Sequence, residues 1–170
     1  NLQSTSTKSF KYQYMKAATI VTIKKELQHL PKEDLLQLCL RLGRFKKENK
    51  ELLTYLLFQA HDEESYIESI KETLDEFFKV MNTDSYFYMK KTIRKILRQI
   101  KTFSRYSITK TTEVELLIYF CQRLNELKPN IHRNRTLDNL YKRQIISIEK
   151  KITGFHEDLQ YDYRLQLEKL

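Results

Sequence analysis

Two glycines and two prolines in 170 residues leave this chain almost nothing with which to turn sharply. Sandwiches, barrels and disulfide scaffolds need residues of special backbone geometry every few positions, and are excluded by that scarcity. Gly43 and Gly154 each stand alone, so no glycine-rich loop is available to cradle a phosphate. An all-α fold is what remains. At 41% hydrophobic and 31% charged the composition is globular. The length suffices to bury a core without metal or disulfide staples.

Apolar spacing and punctuation divide the chain into eight helices. The first is expected over 15–30, with Ile20, Ile23, Leu27 and Leu30 on one face. Pro31 closes it and opens the second, whose buried stripe would be Leu35, Leu38, Cys39 and Leu42, with Gly43 as the stop. The third spans 47–60 and the fourth 62–81, the latter capped by Asp62 with Tyr66, Ile70, Leu74, Phe77 and Phe78 inward. The fifth runs from a Thr83 cap to Ser104 and turns Phe87, Ile93, Ile96, Leu97, Ile100 and Phe103 inward. Thr112 and Glu115 match a capping box for the sixth, 113–127. The seventh runs from Thr136 until Gly154 stops it, and the eighth covers 156–170. The third and sixth are apolar nearly all round, which predicts central positions. The architecture expected is a compact bundle of antiparallel helical hairpins, with a HEAT-like array as the alternative. Residues 1–14 are read as a non-native or flexible extension before Met15, and 15–170 as a single all-helical domain.

Cys39 and Cys121 sit inside apolar helical stretches without a CxxC partner, so both are expected to be buried, reduced thiols. No run approaches the 18 apolar residues of a membrane span. Together these features suggest a cytoplasmic protein with no membrane partner.

The run Leu35-Leu36-Gln37-Leu38-Cys39-Leu40-Arg41-Leu42, continuing through Lys46-Lys47-Glu48-Asn49-Lys50-Glu51-Leu52-Leu53-Thr54-Tyr55-Leu56-Leu57-Phe58, resembles an uncharacterised group of small all-helical bacterial proteins of Bacteroidetes type. Glu113 to Cys121 and His156 to Tyr163 add to the resemblance, which extends from Met15 to the C-terminus. It implies a cytoplasmic helical domain of unknown function and transfers no catalytic or binding residues.

Charge is the most informative surface signal. Lys and Arg outnumber Asp and Glu by 31 to 22, a balance that favours anionic partners. Residues 61–85 carry eight acids against Lys71 and Lys79, whereas 86–112 carry eight bases and no acid. Within the basic segment Lys90, Arg94, Arg98, Lys101 and Arg105 share one helical stripe, with Tyr86, Tyr88 and Tyr106 at its ends. One reading is a helix that tracks phosphates and offers rings for stacking. The other is a helix whose charge is satisfied by its acidic predecessor. The basic loop 131–136 would add to an anionic-ligand surface if it lay beside the fifth helix.

Chemistry has less support. His61, Glu64 and His156 are the only metal or catalytic residues worth testing, and Glu26 with His29 forms a single ExxH where a di-iron bundle needs two. No nucleophile elbow, Walker motif or dinucleotide fingerprint occurs. The sequence therefore points to a non-enzymatic module that binds another macromolecule, protein or nucleic acid, with no cofactor and no metal implied.

Overall fold

A computed structural model describes residues 16–170, which form eight α-helices and one 3₁₀ turn, with no strand among them. The helices are α1 (Ile20–Gln28), α2 (Lys32–Phe45), α3 (Lys47–Phe58), α4 (Glu63–Lys79), α5 (Tyr86–Ser104), α6 (Lys110–Asn125), α7 (Arg135–Ile152) and α8 (Glu157–Leu167); the 3₁₀ turn is Ile131–Arg133. The extension expected over 1–14 lies outside the described residues.

The all-helical bundle is as expected, and its centre is α6. Eight of its residues are buried: Thr112, Val114, Leu116, Leu117, Ile118, Phe120, Cys121 and Leu124. A helix apolar on every side must be surrounded, and α6 packs against α4, α5 and α7. These neighbours supply Ile70, Leu74 and Phe78 from α4, Met89, Ile93, Ile96 and Ile100 from α5, and Leu137, Ile148 and Ile152 from α7. Against α7 lies α8, held by buried Tyr163, whose hydroxyl donates to Glu115 of α6 at 3.1 Å.

The third helix is not central. Its only buried residue is Tyr55, while Leu57 and Phe58 are each 68% exposed. Its chief partner is α2, which buries nothing. The stripe expected to bury α2 is accordingly open, with Leu38, Cys39 and Leu42 all exposed. The same holds for Ile20, Ile23, Leu27 and Leu30 of α1. Apolar spacing identifies a face that can be buried, and here no other element of the described chain covers it.

Several helix ends follow their sequence signals. Asp62 caps α4 by accepting from the Ser65 amide at 3.1 Å, and Asn134 caps α7 by accepting from the Leu137 amide at 3.3 Å. Others depart. Before α5 the Asn82 side chain accepts the Asp84 amide at 2.9 Å, a local turn that delays the helix to Tyr86 and removes Thr83 from the capping position. α6 starts at Lys110, so Thr112 lies inside its first turn and is buried, donating to Glu63 instead of capping; Glu115 serves Tyr163. Gly43 does not stop α2, which continues to Phe45. A Cβ there would meet Leu53 Cδ1 at 3.0 Å, so this glycine permits the close approach of α3 where it folds back on α2.

Two predictions follow from this distribution of burial. Phe120→Ala, at a fully buried site, should lower unfolding stability by about 3–5 kcal/mol. Leu57→Ala should cost under about 0.5 kcal/mol, both read by urea denaturation. In the native chain a thiol reagent should label Cys39 rapidly. It should reach Cys121, whose thiol burial pushes up to about 12, only on unfolding.

Candidate functional site

Two surfaces remain after the core is accounted for, a basic face on α5 and an apolar face on α1 to α3. On α5 the core side is formed by Met89, Ile93, Ile96 and Ile100, which leaves the opposite side to solvent. Arg94, Arg98, Lys101 and Arg105 are exposed and Lys90 is half-buried. The five therefore do form one accessible stripe, spanning roughly 22 Å at 1.5 Å per residue. Phe87, expected inward, is 73% exposed. It lies seven residues before Arg94 and eleven before Arg98, spacings that keep it on the basic face. Its ring meets that of exposed Tyr88 edge-on, with centroids 5.5 Å apart.

The acidic helix does not neutralise this stripe by direct pairing. Among the described residues, no Lys or Arg of α5 lies within 4.0 Å of a carboxylate oxygen. Four acids of α4, Glu63, Glu68, Asp75 and Glu76, are engaged elsewhere. Glu68 pairs with Lys71 at 2.6 Å and Glu76 with Lys79 at 3.8 Å, both within α4. Asp75 faces α6, where Arg123 Nε lies 3.0 Å away and the Tyr119 hydroxyl donates at 2.6 Å. Lys95 of α5 does turn toward α4, where its ammonium sits 4.6 Å from the centroid of the Phe77 ring. Lys91 and Lys95 are exposed too and widen the basic face beyond the five stripe residues. Just before the 131–136 loop, the Asn130 carbonyl accepts from the Tyr86 hydroxyl at 2.8 Å, and Arg133 and Arg135 of the loop are exposed.

The apolar face belongs to a unit attached by tyrosines. Buried Tyr55 of α3 meets Tyr66 of α4 with ring centroids 4.5 Å apart and planes tilted by 52°, and its hydroxyl donates to Glu63 Oε2 at 2.8 Å. The other oxygen of Glu63 accepts from Thr112. Tyr106, following α5, donates to Glu51 Oε2 of α3 at 2.8 Å, and Tyr66 to the Phe103 carbonyl at 3.0 Å. Burial, then the neighbouring Glu51, pushes the Tyr106 phenol up, which keeps it a neutral donor at ordinary pH. Outside this attachment α1 to α3 present Ile20, Val21, Leu42, Phe45, Leu56, Leu57 and Phe58, each more than half exposed.

A groove of about 640 Å³ lies between α2 and α3, lined by Leu40, Gly43, Leu53, Thr54, Leu57 and Phe58. Four bases, Arg44, Lys46, Lys47 and Lys50, also line it, and no acid does. Sequence reasoning did not single them out as a site. The available signal was their density, four bases in seven residues between two Leu-rich helices.

The structure does not assemble the metal candidates. His61, Glu64 and His156 are all exposed, His61 in the turn before α4 and His156 at the cap of α8. Among the described residues no three His, Cys, Asp or Glu side chains are grouped as a metal site would require. No described helix is long and apolar enough to cross a membrane. Comparison with protein-family models, curated proteins and solved structures finds no match for this chain.

If the α5 bases are solvated rather than paired, reversing them should leave the fold intact. The double variant Arg94→Glu/Arg98→Glu is expected to stay within about 0.5 kcal/mol of the parent in urea denaturation. A loss of several kcal/mol would show that α4 does hold them.

Proposed function

We propose that this chain is a non-enzymatic interaction module that binds another macromolecule through the uncovered face of α1 to α3. One observation carries this reading: three amphipathic helices present their apolar side chains, and Tyr55 alone among their residues is buried. Contiguous apolar surface larger than a few hundred Å² is costly to leave in water, and marks a binding surface. A cytoplasmic location, suggested by the unpaired thiols, belongs to the same proposal.

The test is site-specific photocrosslinking in the cells that make the protein. A photoreactive residue at Phe45 or Leu57 should yield discrete adducts, and one at Lys169, outside this face, should not. Absence of adducts from the first two positions would sink the reading.

The unpaired basic stripe supports a second reading, sequence-nonspecific nucleic-acid binding through Lys90, Arg94, Arg98, Lys101 and Arg105. Five phosphate contacts would give a log–log salt slope of roughly −4 on duplex DNA. Fluorescence anisotropy of labelled oligonucleotides between about 50 and 200 mM salt should then show binding that collapses with salt. Arg94→Glu/Arg98→Glu should abolish it. No binding of the parent at low salt would dismiss this role for α5.

A further inference from the structure

We infer that the groove between α2 and α3 takes an amphipathic α-helix whose apolar stripe is flanked by acidic residues, presented by a partner protein. This rests on the interaction-module reading and adds the chemistry of the partner.

The shape of the groove comes from Gly43. Because no side chain stands there, Leu53 approaches α2 closely, and Leu40, Leu57 and Phe58 line the groove beside it. Leu53 and Leu57 lie one turn apart on α3 and leave a furrow along the helix. A third helix fills a furrow of this kind with residues at i, i+3, i+4 and i+7.

The charge of the lining selects among such helices. Arg44, Lys46, Lys47 and Lys50 line the groove, and among the described residues no acid does. Among the described residues, Lys47 alone of the four has an ion-pair partner, Glu51 at 3.1 Å, and Lys47 remains 88% exposed. Glutamates or aspartates beside the partner's apolar stripe would meet these bases, whereas a basic helix would be repelled. Charge also argues against a second copy of this chain. A two-fold pairing sets the same patch against itself and would oppose the two basic rims. A bilayer surface is a poorer match because it cannot fill a groove.

The test selects partners rather than assuming one. A displayed library of helices about 16 residues long, with leucine fixed at i, i+3, i+4 and i+7 and the flanking positions randomised, is panned against the full chain. The expected result is enrichment of Asp and Glu at the flanks. Recovered peptides should bind at least about tenfold more weakly to Lys46→Glu/Lys50→Glu. They should bind unchanged to Arg94→Glu/Arg98→Glu. Lys46→Gln/Lys50→Gln, which removes charge without reversing it, should weaken binding by an intermediate factor, and circular dichroism checks that each variant is folded.

Enrichment of neutral or basic flanks would overturn the acidic partner and leave the interaction module standing. No enrichment would remove the groove as a helix site. The adducts at Phe45 and Leu57 then decide separately whether the wider face binds anything. Two further outcomes would also overturn the inference. One is a dimer in sedimentation equilibrium that Leu57→Asp dissociates. The other is flotation with phosphatidylserine vesicles that Lys46→Glu/Lys50→Glu abolishes.

Discussion

The burial of α6 is the constraint on which the rest of the bundle depends. A helix with Val114, Leu116, Leu117, Ile118, Phe120, Cys121 and Leu124 all out of contact with water needs neighbours on every side. Three helices meet that need, and each must turn its apolar stripe inward to do so. The orientation of α5 follows directly. Once Met89, Ile93, Ile96 and Ile100 point at α6, its lysines and arginines have only the solvent side left. The exposed basic face is thus a by-product of core packing as much as a feature of charge, and among the described residues none of its bases is paired with an acid of α4.

Attachment of the N-terminal helices works by a different physics. Little apolar area joins α3 to the bundle; Tyr55 and Tyr106 join it instead, through hydroxyls that donate to Glu63 and Glu51. Hydrogen bonds to charged acceptors contribute about 1.5–3 kcal/mol each. Two of them position a helix without covering its faces. The consequence is a molecule with a well-buried half and a half whose apolar side chains no other element of the described chain covers. The two candidate surfaces differ in kind: one is a basic helical face with Phe87 and Tyr88 at its end, the other an apolar furrow with a basic rim.

Much of this was legible from residue spacing. The eight helices, the central place of α6 and most of the inward face of α4 all follow from 3.6-residue periodicity and simple capping residues. Where reading failed, it failed for stated physical reasons. Thr112 satisfies every local rule for a cap, yet helix α6 begins earlier and the hydroxyl is used by Glu63, far away in sequence. Gly43 looks like a terminator, but its missing side chain serves the contact with Leu53. Phe87, expected inward with Ile93 and Ile96, is exposed, and its spacing from Arg94 and Arg98 sets it on the charged side.

The sequence by itself determined that the chain is helical, where most helices lie and which faces are apolar, because those properties depend on neighbours within a turn or two. Tertiary structure alone decided which apolar faces are covered. α3 and α6 have similar compositions, yet α6 is enclosed and α3 is open, since burial depends on what packs from elsewhere and periodicity carries no information about that. The same holds for charge: the α5 stripe was visible as a pattern, but only the relative placement of α4, α5 and α6 shows that its bases stand clear of the nearby acids.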